Sequence, residues 1–159
     1  PYFRNDEAWL PFENELKTWI GTPYRHMTQI KGRGADCALF VAAAMQKTGF
    51  LGEIPRQEYS RDWHLHENSS LVLESYFIGI RNCREGLVFE LMDGCPEHCL
   101  RGDMFLMSCV PSGIIHHAGI CINEHSMIHS IQRQGVKIVP FKGWWRRHVK
   151  KTARLMEKE

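Results

Sequence analysis

A chain of 159 residues, 43% of them hydrophobic and five of them tryptophan, is long enough to bury roughly 70% of its unfolded surface without disulfide or metal staples. Twenty Lys and Arg against 18 Asp and Glu leave a net charge of +2, too small to point to nucleic acid as a main partner. There is no repeat, no low-complexity tract and no apolar run long enough to span a bilayer, so one folded domain over residues 1–159 is expected, with no membrane partner. The first residue is Pro1 and not Met, which is compatible with a removed leader and does not establish one.

In chain order, Asp6 to Ile20 reads as an amphipathic helix whose apolar members are Trp9, Leu10, Phe12, Leu16, Trp19 and Ile20, with Gly21 as its stop. Pro11 weakens the first turn and moves the expected start later. After Gly32, Gly34 and Ala35, a low-bulk approach where backbone can come close to a ligand, Asp36-Cys37 opens the run ADCALFVAAAM. A second helix is expected from Asp36 to about Thr48, capped by Asp36 and stopped by Gly49. Residues 55–67 form a polar loop containing Trp63, His64 and His66, and Asn68 or Ser69 caps a third helix from Leu71 to Ile80. From Gly102 the texture changes to strands: Met104 to Val110, Ile114 to Ile122, Met127 to Ile131 and Val136 to Pro140. Helices first and an antiparallel sheet later is the α+β order.

Chemistry concentrates on Cys37. It falls in the first turn of its helix, where unpaired N–H groups and partial positive charge favour thiolate and offer donors to an oxyanion. A lone cysteine there is more often a small buried hydrophobe, so the histidines decide the reading. A hairpin turning on Asn123 sets position 117 opposite 129, with Cβ atoms about 4.5 to 5.5 Å apart on one face. His117 is then the base that takes the thiol proton, and His129 holds its ring and tautomer. His116 points to the other face as a structural or solvent-facing group. A slip of one residue swaps these assignments, and a cross-strand histidine pair also suits a metal site.

Other groups carry weaker signals. Cys95, His98 and Cys99 are zinc-type ligands without a second spaced pair, and six unevenly spaced cysteines do not read as a disulfide framework. Alternation puts His64 and His66 on one side, a conceivable metal pair. Asp103, after Gly102, is expected to make turn hydrogen bonds and not to transfer protons. The tail from Lys142 carries seven Lys and Arg beside Trp144 and Trp145. The tryptophans are expected to pack on the sheet while the charges stay solvated.

The pieces TWIGTPYRH (18–26), KGRGADCALFV (31–41), YSRDWHLH (59–66), LRGDMFLM (100–107), HHAGICI (116–122), MIHSI (127–131) and GWWRRHVKKTARL (143–155) run in order along nearly the whole chain. In them the chain resembles the NlpC-type cell-wall peptidases, papain-like cysteine enzymes, and especially the branch found in phage tails and gene-transfer agents. The resemblance implies a papain-like α+β fold, with N-terminal helices including the nucleophile helix packed on an antiparallel sheet. It implies Cys37 as nucleophile, His117 as base and His129 as third triad member, with Tyr24 near the thiol and Tyr24 and Asp36 as substrate or oxyanion groups. Trp63, His64 and His66 would lie beside the substrate groove. The branch often carries Gly-Cys-Asp-Cys where this chain has Gly34-Ala35-Asp36-Cys37, yet the cysteine that opens the helix is retained.

The implied activity is hydrolysis of an amide bond in the stem peptide of bacterial peptidoglycan, next to D-glutamate and a diamino acid, with no metal or organic cofactor. The implied partners are peptidoglycan and phage-tail-like proteins, and the implied place is cell-wall facing: periplasmic, secreted or on a phage particle. Three alternatives stand beside it: a non-catalytic phage-tail or cell-wall-binding module that keeps the fold, a zinc-binding module on Cys95, His98 and Cys99, and an acyltransferase using the same thiol and imidazole.

Overall fold

The computed structural model describes residues 1–52 and 83–159. The expected polar loop with Trp63, His64 and His66, and the expected helix from Leu71 to Ile80, lie outside the described residues.

Helix α1 spans Asp6–Thr18. It starts where the apolar periodicity begins, and Pro11 does not delay it, because the Asn5 side chain caps the Ala8 amide at 3.0 Å and Asp6 and Glu7 sit in the first turn. Trp9, Phe12 and Leu16 face inward, whereas Leu10 and Ile20, expected among the apolar members, are about half exposed at 47% and 48%. The helix ends at Thr18, two residues short of the expected limit, and Gly21 turns the chain at φ 88°. Phe3 stacks on Phe12 at 5.2 Å, and Trp9 and Phe50 meet this pair edge-on.

A short hairpin of β1 (Gln29–Ile30) and β2 (Gly34–Ala35) leads into α2 (Cys37–Lys47). Every α2 residue from Cys37 to Met45 is buried, because the helix lies between α1 on one side and the sheet on the other. A helix apolar all round its circumference is what that position demands.

The sheet has six antiparallel strands in the order β3-β8-β4-β5-β6-β7. These are β3 (Leu87–Asp93), β4 (Met104–Met107), β5 (His117–Asn123), β6 (Ser126–Ile131), β7 (Gly135–Pro140) and β8 (Val149–Glu157). A five-residue helix, α3 (Trp144–His148), precedes β8. The main core fills the space between the two long helices and the sheet, and a second cluster of Phe105, Met107, Met127, Phe141 and Val149 fills the opposite face. Sequence patterning missed β3 and β8. β3 is an edge strand with charged and apolar residues mixed, and β8 runs through the basic tail, where Thr152, Ala153 and Leu155 are buried among Lys150, Lys151 and Arg154; Arg154, expected to be solvated with the other charges, is instead largely covered by its pairing with Asp103. β4 also stops at Met107, three residues before the expected end, and β5 begins at His117 and not Ile114.

The β5–β6 register differs from the expected one. Ile120 faces Ile128 and Cys121 faces Met127, with an irregularity before the turn. That register sets Gly119, not His117, beside His129, and a Cβ built on Gly119 would lie 3.4 Å from the His129 Cβ. The displacement is an even number of residues, so both histidines keep the same face and meet on the diagonal.

Asp103 opens β4 fully buried. It accepts the Leu100 amide at 2.8 Å, the expected turn bond, and it also takes a bidentate pair from Arg154 at 2.7 and 2.8 Å. Truncating one member strands the other. Asp103→Ala is therefore expected to lower stability by about 3 kcal/mol, read as a lower urea midpoint at unchanged slope; an unchanged midpoint would contradict this role.

Candidate active site

Cys37 is the first residue of α2, and Asp36 is its N-cap. The Asp36 carboxylate is buried, accepting the Leu39 amide at 2.8 Å through Oδ1 and the Met27 amide at 3.0 Å through Oδ2. Its oxygens thus brace the turn before the thiol and do not face outward as a substrate or oxyanion group would. The preceding residue is held just as firmly. The Ala35 amide donates to Pro23 O at 3.0 Å, its carbonyl accepts the Arg25 amide at 3.3 Å and the Ser130 hydroxyl at 2.8 Å, and Tyr24 bridges to it in parallel pairing. Tyr24, partly exposed, is thereby carried to the start of α2. The close approach expected around Gly34 is real, but its neighbour is the chain's own Arg25, whose Cβ would lie 2.7 Å from an added Cβ.

The sulfur lies against the beginning of β5. Cys37 Sγ donates to His116 O at 3.7 Å and sits on the Ala118 amide, so its two contacts with β5 and the residue before it bracket His117, while the Ala38 amide and its own approach it from α2. His117 Nε2 and His129 Nδ1 are 2.8 Å apart, with ring centroids at 5.0 Å and planes at 73°. His117 is 9% exposed and His129 fully buried. Gly119 stands beside His129 without a side chain, and a Cβ added there would press on Met127 Sδ at 3.1 Å and on His129 Cβ at 3.4 Å. His116 accepts the Cys109 amide on Nε2 at 2.9 Å, a structural role as expected.

One neighbour escaped sequence reasoning. Trp145 of α3 places its ring 5.0 Å from His129, perpendicular at 87°, and 6.0 Å from His117. The tryptophans were expected to pack on the sheet; Trp145 does so over the imidazole pair, while Trp144 is 47% exposed. No spacing rule links position 145 to 117 or 129, so nothing in the pattern singled it out.

Burial sets the protonation of the site. It pushes the Cys37 thiol up to about 12, with the Asp36 charge adding to the effect. The same burial, with His129 and then His116 nearby, holds His117 well below the ordinary imidazole value. His129 is pushed down to about 4 by burial and by Lys137. The proton therefore rests on sulfur, and both imidazoles are neutral. The N-terminus of α2 alone would favour thiolate, but desolvation of the sulfur outweighs it.

The zinc reading loses its third ligand. Cys95 and Cys99 bring their sulfurs to 3.6 Å, and Arg146 donates to Cys99 Sγ at 3.4 Å, while His98 faces Glu124 at 3.7 Å. Among the described residues no three His, Cys, Asp or Glu side chains could hold a metal ion. A cavity of about 670 Å³ lined by Phe3, Trp9, Leu10, Leu100 and Ile122 includes neither Cys37 nor the two histidines.

Two outcomes follow from the protonation state. At pH 6, iodoacetamide should modify Cys37 later than the partly exposed Cys83, Cys95 and Cys109, as read by mass spectrometry of digests; preferential labelling of Cys37 would show a thiolate after all. His129 resists protonation in the fold at about 4 against 6.5 when unfolded, so its contribution is complete above pH 6.5 and is lost as the pH falls toward 4. The loss is on the order of 3 kcal/mol. The melting temperature should fall across that window, and less so in His129→Gln; parallel curves would remove His129 as the cause.

Comparison with known proteins agrees with this architecture. The NlpC/P60 family profile matches residues 21–154. An NlpC/P60 family protein from Bacillus cereus superposes with a TM-score of 0.59 at 24% identity, over 92% of this chain and 39% of that one. A protein of the same family from Staphylococcus aureus, described as similar to a lipoprotein, gives 0.60 at 16% identity, over 97% of this chain and 43% of that one. The NlpC/p60 domain of the peptidoglycan hydrolase SagA gives 0.55 at 17% identity, over 91% of this chain and 97% of that domain. The chain thus spans about two fifths of the first two proteins and nearly all of the third. Comparison with curated protein sequences finds no match. Helices on an antiparallel sheet, shared with these neighbours, make the fold papain-like α+β, and the chain belongs to the NlpC/P60 family.

Proposed function

We propose that this chain is a cysteine peptidase that hydrolyses an amide bond in the stem peptide of bacterial peptidoglycan, as one NlpC-type domain over residues 1–159. The observation that carries the reading is the sulfur of Cys37 set on the backbone either side of His117, whose ring is tied to His129 at 2.8 Å. Family membership and the neighbour described as a peptidoglycan hydrolase support the substrate class.

The chemistry starts from a neutral pair. With Nε2 of His117 engaged by His129, Nδ1 takes the thiol proton as sulfur attacks the carbonyl carbon, so that thiolate forms only as the bond is made. Asp36 occupies the Leu39 amide, and the Cys37 and Ala38 amides of the first turn, which lie on the sulfur, are the donors nearest the tetrahedral oxyanion that forms beside it. His129 Nδ1 accepts the Nε2 proton of the imidazolium that results, stabilising it in a site where burial opposes charge. The imidazolium gives its proton to the leaving amine, the C–N bond breaks, and a thioester remains. Water then adds with His117 as base, releasing the carboxylate and restoring the thiol. Tyr24 is the substrate-side group nearest the start of α2, and by resemblance Trp63, His64 and His66 border the groove.

The phage-tail and gene-transfer-agent branch supplies the finer reading: a wall-facing enzyme, periplasmic, secreted or particle-borne, working beside tail proteins. Among the described residues no helix is long and apolar enough to cross a membrane.

Wild type and Cys37→Ala, incubated with purified peptidoglycan, should differ by at least about 10³-fold in muropeptides released, scored by mass spectrometry. Equal release by both would eliminate the thiol mechanism, and no release by either would favour the wall-binding module.

A further inference from the structure

We propose that Trp145 is a positioning residue, which locks the ring of His129 and keeps water off the hydrogen bond between His129 and His117. The inference rests on the peptidase reading and assigns a device to that same site.

Among the described residues His129 is held by one polar contact. Its Nδ1 meets His117, while Nε2 is a buried side-chain atom without a hydrogen-bond partner among the described residues. A histidine ring turns about its last torsion in a broad, roughly two-fold well. Half a turn exchanges Nδ1 for carbon and breaks the bond to His117. Among the described residues no polar anchor at Nε2 resists that turn, and packing is what opposes it. Gly119 offers no side chain on the β5 side. The indole of Trp145 stands perpendicular to the imidazole at 5.0 Å and only 32° from the plane of His117 at 6.0 Å, so it flanks both rings at their junction.

Trp145 is itself braced more strongly than a five-residue helix implies. Arg146, its neighbour in sequence, donates to Pro96 O at 2.9 Å and to Glu97 O at 3.3 Å, and its guanidinium lies 5.4 Å over Phe141. On its outer side Trp144 packs edge-on at 4.8 Å and stacks in turn on His148 at 4.1 Å. The indole is thus wedged between the imidazole pair and a second indole.

A wedge of this kind has a kinetic signature that core packing lacks. It acts on the proton-transfer step and not on substrate contact, so its loss lowers kcat and leaves KM. It also maintains the burial that keeps the imidazoles neutral. Among the described residues the titratable groups acting on His117 are His129 from β6 and His116 beside it, and from α2 Cys37 lies against its backbone with Asp36 acting on that thiol. Lys137 of β7 acts on His129, and Arg146 of α3 turns to Cys99. Replacing Trp145 removes none of these groups; what it alters is water access. Admitting water raises the His117 value toward that of a free imidazole, and because His117 works as a neutral base, the acid limb of kcat/KM moves to higher pH.

The test uses Trp145→Leu and Trp145→Phe on a defined stem peptide, with ¹⁵N shifts of the histidine rings measured in parallel. Trp145→Leu should lower kcat about tenfold with KM within about twofold, raise the acid limb, and convert the single His129 tautomer into an averaged signal, while Trp145→Phe restores most of each. If the leucine variant does not fold, Trp145→Met takes its place. An unchanged kcat, acid limb and His129 tautomer would overturn the proposal, as would a loss confined to KM. The ring shifts do not depend on turnover: inactivity of the wild type with the tautomer change intact would sink the peptidase reading alone.

Discussion

The packing of the first turn of α2 against the first residues of β5 is the contact on which the rest of the molecule depends. It sets one sulfur on the backbone that brackets one imidazole. Much of the remaining structure holds those two elements in place: the Asp36 cap, the Ala35 pairing with Pro23 and Arg25, and the Ser130 hydroxyl on the Ala35 carbonyl. The first two satisfy backbone groups that burial would otherwise leave unpaired, and Ser130 adds a second bond to a carbonyl that already accepts the Arg25 amide. The helix reaches this depth because it is apolar over its full circumference, which allows α1 to cover it while the sheet supports it.

Depth has an electrostatic consequence that opposes the local one. The helix terminus favours an anion at Cys37, but a sulfur removed from water beside a carboxylate keeps its proton. The paired imidazoles answer to the same physics and stay uncharged. A site of two neutral partners resembles a serine–histidine pair more than a preformed thiolate–imidazolium pair, and in the proposed peptidase reaction charge appears only while bonds are changing. In the proposed mechanism the His129 contact carries the transient positive charge, and the aromatic cover of Trp145 preserves the low dielectric in which that contact is strong.

Much of this was legible in residue order. The helix opening at Cys37 follows from Asp36, the apolar run and Gly49, all local signals. The hairpin of β5 and β6 follows from β-branched stretches around a polar turn. Its register was misjudged by two positions, yet the pairing of the two histidines survived, because side chains alternate with a period of two and an even displacement keeps the face. β3 and β8 stayed hidden because one lies at a sheet edge and the other alternates with lysines and arginines.

Local sequence by itself determined the helix that opens at Cys37, its cap, the order of helices before strands, and which face of the hairpin carries His117 and His129. These depend on neighbours within a few residues, where hydrogen bonding and hydrophobic period act directly. Only the tertiary structure decided the protonation of the thiol, the diagonal meeting of the imidazoles beside Gly119, the loss of His98 from the cysteine pair, and the cover of Trp145. All four depend on burial and on contacts between residues far apart in the chain, and desolvation exists only once distant segments have closed over a group and excluded water.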